Sequence, residues 1–209
     1  MITKELYNSP ETVSFTSPLP SEMFFSNISK QAKIIDLGCG YGRVLKFLFE
    51  EGYRNLYGID SSSKLIERAK TYFPNADYSI SSILELDTST KFDCVLLCGV
   101  LEYFYSDDER SSITNIAFDL LSENGFVFIE GFLLDNNYLK DYFVNFVKGD
   151  SWGTVYSENA RLRHTTSKKI DNLFSSKFRK VVSAKSDFKT WTNKNRNGYI
   201  ALYQKRVSK

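Results

Sequence analysis

Short apolar runs alternate with amphipathic stretches of helical length through most of the chain. The runs at 33–37, 55–59, 76–81, 92–97, 125–130, 178–184 and 199–205 read as strands. Between them the spacing predicts helices at 42–51 stopping at Gly52, at 62–72 stopping before Pro74, and at 107–121 ending near Asn124-Gly125, the last capped by Ser106 or Asp107. Strand and helix in regular succession call for parallel strands joined by crossover helices, so the expected fold class is α/β, a doubly wound open sheet.

Two regions break the alternation. Residues 1–29 contain Tyr7, Phe15, Phe24, Phe25 and three prolines, and predict a loop and a short helix ahead of the first strand. Residues 131–176 are too long for one crossover and carry Tyr138, Tyr142, Phe143, Phe146, Trp152 and Tyr156. A long aromatic insertion beyond the strand C-termini of an open α/β sheet is where a ligand pocket would be walled. Both segments are therefore expected to form a lid over an acceptor pocket, with Tyr7 and Trp152 among its lining, within one domain spanning 1–209.

Composition agrees with one globular domain: 209 residues, 42% hydrophobic, 15% aromatic and 25% charged. The longest uncharged apolar run, 94–101, is too short to span a bilayer, and the first residues lack a signal-peptide core, so a cytoplasmic location and no membrane partner are expected. Three cysteines fit a reducing compartment, and Cys94 and Cys98 would lie roughly 13 Å apart on one strand face, too far to bridge. A single histidine and no Cys-x-x-Cys pair give no zinc-type cluster, and no metal is expected. Residues 167–209 hold nine Lys and three Arg against two Asp, a local excess of ten positive charges. That excess keeps RNA or another anionic acceptor as an alternative partner, but the cations are interleaved with Phe174, Phe178, Val181, Val182 and Trp191 as solvated faces of folded elements would be.

The chemistry concentrates at Ile34-Ile35-Asp36-Leu37-Gly38-Cys39-Gly40-Tyr41-Gly42-Arg43, a buried strand, a glycine turn and a helix start in ten residues. Gly38 and Gly40 allow a sharp turn with the backbone close to a ligand, ahead of a helix N-terminus with open N–H groups. Tyr57-Gly58-Ile59-Asp60 then ends the second strand with a carboxylate 18 positions past Gly42, suited to accept from two ribose hydroxyls. A dinucleotide site would read G-x-G-x-x-G. Here the glycines are at 38, 40 and 42, and Asp36 stands where negative charge repels a pyrophosphate but attracts an ammonium group.

This pattern resembles motif one of the class I S-adenosylmethionine-dependent methyltransferases, and the resemblance runs in order over roughly 30–131, with a tail at 178–205. Phe92-Asp93-Cys94-Val95-Leu96-Leu97-Cys98-Gly99-Val100-Leu101-Glu102-Tyr103-Phe104 is similar to the family's fourth-strand motif, and Leu120 to Ile129 to its entry into strand five. The resemblance implies S-adenosylmethionine as cofactor, strand order 3-2-1-4-5-7-6 with the last strand antiparallel, and a cofactor site formed by Asp36, Gly38, Cys39, Gly40, Asp60, Ser61, Ser82, Ile83, Cys98 and Gly99. It also marks two departures. Ser81-Ser82-Ile83 replaces the Gly-Asp-Ala that receives adenine, leaving Ser82 as an uncharged acceptor, and no proline precedes strand five.

The function implied is methyl transfer to a small-molecule O or N acceptor. No Asn/Asp-Pro-Pro-Tyr follows strand four, which weighs against a nucleic-acid base. A cofactor-binding regulatory module without turnover and a dehydrogenase are the competing readings. Glu102 and Tyr103 stand at the mouth of the expected site, Tyr103 as a substrate wall and Glu102 as a catalytic candidate beside His164, which lies in the insertion and is a candidate general base by its pKa near neutrality. Tyr41 and Arg43 read as structural, with Arg43 facing Glu50 or Glu51 along its helix. The sequence names neither the acceptor nor an oligomeric state.

Overall fold

Successive strand residues point to opposite faces, and the central strands of this chain are apolar on both. Ile34, Leu96 and Phe128 face one side, and Ile35, Leu97 and Ile129 the other, all buried. Each face therefore needs a cover of helices. The computed structural model describes residues 20–86, 89–134, 144–146, 152–157, 160–189 and 195–207.

The main sheet joins β1 (Lys33–Leu37), β2 (Asn55–Asp60), β3 (Asp77–Ile80), β4 (Phe92–Cys98), β5 (Leu121–Phe132), β9 (Phe178–Lys189) and β10 (Asn195–Lys205) in the order β3-β2-β1-β4-β5-β10-β9. The first five strands pair in parallel, and β10 is antiparallel to both β5 and β9. This is the expected doubly wound arrangement. Both strands of the β9–β10 hairpin run longer than the apolar pattern at 178–184 and 199–205 indicates, because their outer ends pair with each other, Asn195 opposite Lys189, and need no core face.

One face is covered by α1 (Glu22–Phe25), α2 (Arg43–Glu50) and α3 (Ser63–Tyr72), through Phe24, Leu45, Leu48 and Ile66. The other is covered by α4 (Asp107–Leu120) and α5 (Ser167–Ser175), through Ile113, Ala117, Ile170 and Phe174. Local signals set the helix starts. Ser106 accepts from Glu109 N at 3.1 Å while the Glu109 carboxylate accepts from Ser106 N at 3.0 Å, a reciprocal capping box that fixes Ser106 as the cap. Ser62 caps α3 by a single bond, accepting from Leu65 N at 3.3 Å.

Inside the 131–176 insertion lies a three-stranded antiparallel sheet of β6 (Val144–Phe146), β7 (Gly153–Ser157) and β8 (Ala160–His164). It continues from the end of β5 through a Leu133–Thr165 bridge and packs β8 against a 3-10 turn, Leu101–Tyr103, that follows β4. The insertion thus meets the C-terminal ends of β4 and β5. Tyr7 and Phe15 lie outside the described residues.

Gly58, inside β2, shows how tightly the first crossover closes. A Cβ there would lie 2.8 Å from Cys39 Sγ, 2.9 Å from Leu45 Cδ1 and 3.0 Å from Tyr78 Cδ1. Gly58→Val is expected to cost about 2–3 kcal/mol by overpacking, seen as a melting temperature lower by roughly 6 °C. An unchanged melting temperature would show that these neighbours yield without cost.

Candidate functional site

The chain leaves β1 at Leu37 and reverses into α2 through Gly38, Gly40 and Gly42, whose φ values of 80°, 55° and 82° are all left-handed. Only glycine takes three such positions within five residues without strain, which is the physical content of the motif. The turn is tied to β2. Gly38 N and Cys39 N both donate to Ile59 O at 2.8 Å, and Gly40 N donates to Asp60 Oδ2 at 2.9 Å. The other oxygen of Asp60 accepts from Ser62 N at 2.9 Å, at the start of α3. One carboxylate therefore joins the glycine turn to the next helix, and each oxygen keeps room for a further donor. Burial raises the Asp60 pKa, and its two backbone donors pull it back.

Asp36, one strand over, is 1% exposed, and its Oδ1 has no hydrogen-bond partner among the described residues. Burial, offset by the Arg43 charge and reinforced by Asp60, pushes its carboxyl up to about 7. Arg43 thus acts electrostatically on Asp36 across the turn, and Lys46 pairs with Glu50 at 2.9 Å on the helix surface. The spacing explains it: Arg43 and Glu50 are two turns apart, whereas Lys46 and Glu50 are i,i+4 neighbours.

A buried carboxyl lacking a donor suits a ligand ammonium, which binds the ionised form. If Asp36 takes that part, affinity for S-adenosylhomocysteine should rise about tenfold from pH 6 to pH 8, since a group with a pKa of about 7 is mostly protonated at the first and ionised at the second. Calorimetry across that range checks it, and a flat profile would remove Asp36 from ligand contact.

The turns after β3 and β4 close in on the same point. A Cβ at Gly38 would lie 2.9 Å from Val100 Cγ2 and 3.9 Å from Ile83 Cδ1. Ile83 opens the 3-10 turn Ile83–Glu85, preceded by the half-buried Ser82, whose carbonyl accepts from Ser81 Oγ. Gly99 has φ 65° and donates its N–H to Glu130 O at 2.9 Å, anchoring the end of β4 to β5. Cys98 beside it is half-buried, and burial drives its thiol pKa up, so it offers a neutral surface rather than a thiolate. Asp36, the Gly38-Cys39-Gly40 turn, Asp60, Ile83 and the Cys98-Gly99 pair therefore converge at the C-terminal ends of β1, β2 and β4, with Ser61 exposed at the rim.

The acceptor-side candidates are placed differently from expectation. His164 is 1% exposed, its ring edge-on to Phe132 at 5.3 Å, and burial with the nearby Arg196 charge pushes its pKa down to about 3. The neutral-range titration expected from sequence is thus corrected: the site removes the imidazolium form, and the ring is a weak base at pH 7. Glu102 is also buried, but its carboxyl is pushed up to about 7 by burial. Its Oε1 accepts from Phe132 N at 2.7 Å, while Oε2 has no hydrogen-bond partner among the described residues. Tyr103, on the same 3-10 turn, is half-buried. Trp152 is 3% exposed, with one ring face taken by the Arg110 guanidinium at 4.2 Å.

Buried charge here went unread in the sequence. Arg110 on α4, Glu130 closing β5 and Arg196 opening β10 are 0%, 2% and 3% exposed, and each sits in a stretch where charge normally marks the solvated face. Only their tertiary setting distinguishes them. Among the described residues no three His, Cys, Asp or Glu side chains converge as a metal site, and no helix is long and apolar enough to cross a membrane.

Residues 34–125 match the family described as a methyltransferase domain. The chain is 30% identical over 126 residues to a carboxy-S-adenosyl-L-methionine synthase of Campylobacter fetus, covering 58% of this chain and 53% of that protein. It spans about half the length of the curated relatives it matches. Its fold is similar to that of an S-adenosylmethionine-dependent methyltransferase from Methanosarcina mazei, with a TM-score of 0.76 at 20% identity, over 91% of this chain and all of that one. It is also similar to the Burkholderia thailandensis 1,6-didemethyltoxoflavin-N1-methyltransferase, solved with 1,6-didemethyltoxoflavin and S-adenosylhomocysteine bound, with a TM-score of 0.67 at 18% identity, over 88% of this chain and 76% of that one.

Proposed function

We propose that the chain is a class I S-adenosylmethionine-dependent methyltransferase that transfers a methyl group from S-adenosylmethionine to a small-molecule oxygen or nitrogen acceptor, a reading supported by the methyltransferase-domain match over residues 34–125. The observation that carries this reading is Asp60. A buried carboxylate bonded at once to Gly40 N and Ser62 N holds the glycine turn at a fixed distance from a second acidic strand end, Asp36. Two acceptors in that register match the two polar ends of the cofactor, its ribose diol and its amino-acid ammonium.

In this reading Asp60 accepts from the ribose hydroxyls and Asp36 from the ammonium, whose charge relieves the cost of ionising a buried carboxyl. Gly38, Cys39 and Gly40 leave the ligand backbone-close space, while Ser61, Ser82 and Ile83 border the adenine side and Cys98 and Gly99 the methionine side. When bound, the cofactor supplies an electrophilic methyl on a sulfonium sulfur. The protein's part is to hold the acceptor lone pair in line with that methyl and keep water away, which supplies much of the acceleration. Glu102 is the group we assign to take the acceptor's proton. Its pKa of about 7 suits that task at neutral pH, and its free Oε2 has acceptor capacity. His164 and Trp152 of the insertion, with Tyr103 on the turn after β4, wall the acceptor side, and the insertion acts as the lid of a cytoplasmic domain.

The Burkholderia enzyme, solved with 1,6-didemethyltoxoflavin bound, supports a small-molecule acceptor over a nucleic acid. Incubation with methyl-labelled cofactor and a fractionated metabolite extract tests the reading. Label in a small-molecule product is expected. Label in RNA would move the acceptor to the alternative class, and tight S-adenosylhomocysteine binding without any labelled product would favour a regulatory module.

A further inference from the structure

The inner side of the glycine turn faces the proposed cofactor, and its outer side rests on α3. A Cβ at Gly42 would lie 3.6 Å from Ala69 Cβ, so turn and helix are in direct apposition. Between Gly40 and Gly42 stands Tyr41, 6% exposed although it belongs to a turn. Its ring is gripped by two residues of α3. The Arg68 guanidinium carbon lies 3.9 Å from the Tyr41 ring centroid, and the Tyr72 ring meets it edge-on at 5.3 Å and 85°. Lys46 of α2 in turn lies over Tyr72 at 5.2 Å. Leu65, Ile66 and Ala69 form the buried face of α3, and Arg68, half-buried, and Tyr72, 43% exposed, border it on the side of the turn.

This grip has a counterpart at the other end of the turn. Asp60 joins Gly40 N to Ser62 N, the residue that caps α3. The turn is therefore held twice, through the Asp60 carboxylate that ends β2 and ties it to the cap of α3, and through the cation–aromatic stack that Arg68 makes from the second turn of α3. Three left-handed glycines in five residues give the ligand-free turn wide backbone freedom, so something outside it must select one shape. The Asp60 tie fixes Gly40 N, Gly42 N donates to Cys39 O at 3.0 Å and Tyr78 packs against Gly42, so what the stack holds is the Tyr41 side chain between these two ties.

We propose that Tyr41 and Arg68 form a clamp that holds the glycine turn in its cofactor-accepting shape, with Arg68 a positioning residue that touches no ligand atom. The proposal rests on the cofactor assignment above and extends it to a residue outside the motif. Ordering the turn in advance removes a conformational cost that binding would otherwise meet, so the clamp acts on affinity more than on stability.

The test is a double-mutant cycle on the full chain with S-adenosylhomocysteine as probe, read by calorimetry for affinity and by thermal melting without ligand. Arg68→Ala is expected to raise the dissociation constant about fivefold, in the range of a partly exposed cation–π contact, with the ligand-free melting temperature nearly unchanged. Arg68→Lys should restore part of the loss. Tyr41→Ala should weaken binding about tenfold, and adding Arg68→Ala to it should cost nothing more, because a clamp needs both halves. An unchanged dissociation constant in Arg68→Ala, or additive losses in the double variant, would overturn the clamp while leaving the cofactor reading intact. Failure of the wild-type chain to bind S-adenosylhomocysteine would overturn the cofactor reading and the clamp with it.

Discussion

Gly40→Val is expected to abolish S-adenosylhomocysteine binding while the chain stays folded. Gly40 sits at φ 55°, where a β-branched side chain is strained by about 1–2 kcal/mol, and its N–H is fixed to Asp60 Oδ2. The turn cannot relax without releasing that bond. A valine would therefore either distort the tie to Asp60 or place its methyl groups where the ligand backbone must pass, and both outcomes remove the site. The seven-stranded sheet does not depend on this residue. Circular dichroism should be unchanged and calorimetry should show no heat of binding. Retained affinity would mean that the turn is a plain β–α connection.

Asp60→Ala should weaken the same ligand by about 2–3 kcal/mol, a dissociation constant at least roughly thirtyfold higher. Two losses combine. The ribose diol loses a charged acceptor in a partly dry site, and Gly40 N and Ser62 N lose theirs, which loosens the turn and the cap region of α3 together. Asp60→Asn separates them, since its amide oxygen can still accept from one backbone donor. It should bind more tightly than the alanine variant and more weakly than wild type. Equal affinity across all three would remove Asp60 from the site.

The glycine turn and its acids were legible in the sequence because their chemistry is local. Left-handed backbone at 38, 40 and 42 needs glycine wherever the fold puts it, and a parallel sheet places the ends of adjacent strands together, with Asp36 opposite Gly58 and Asp60 two residues further along β2. The caps at Ser106 and Ser62 are local in the same sense, since the hydrogen bonds that define them span three residues. Strand order was available only through family resemblance, as alternation specifies crossovers and not neighbours.

What the sequence did not contain is burial at a distance. His164 read as a general base because an imidazole ordinarily titrates near neutrality and this one lies in the insertion, but β8 folds it against Phe132 at the end of β5, and desolvation then sets its pKa. Arg196 read as part of a solvated basic face, and nothing in the sequence marked Arg110 or Glu130, yet all three are buried. Arg68 is 27 positions from Tyr41 and meets it only because α3 lies back across the turn. The sequence by itself determined the shape of the glycine turn and the acids that flank it, since steric limits and hydrogen bonds of short range act before the chain is packed. The tertiary structure alone decided which charges are dry, which ring they stack on and which base can titrate, because desolvation and apposition depend on what the rest of the chain places around a residue.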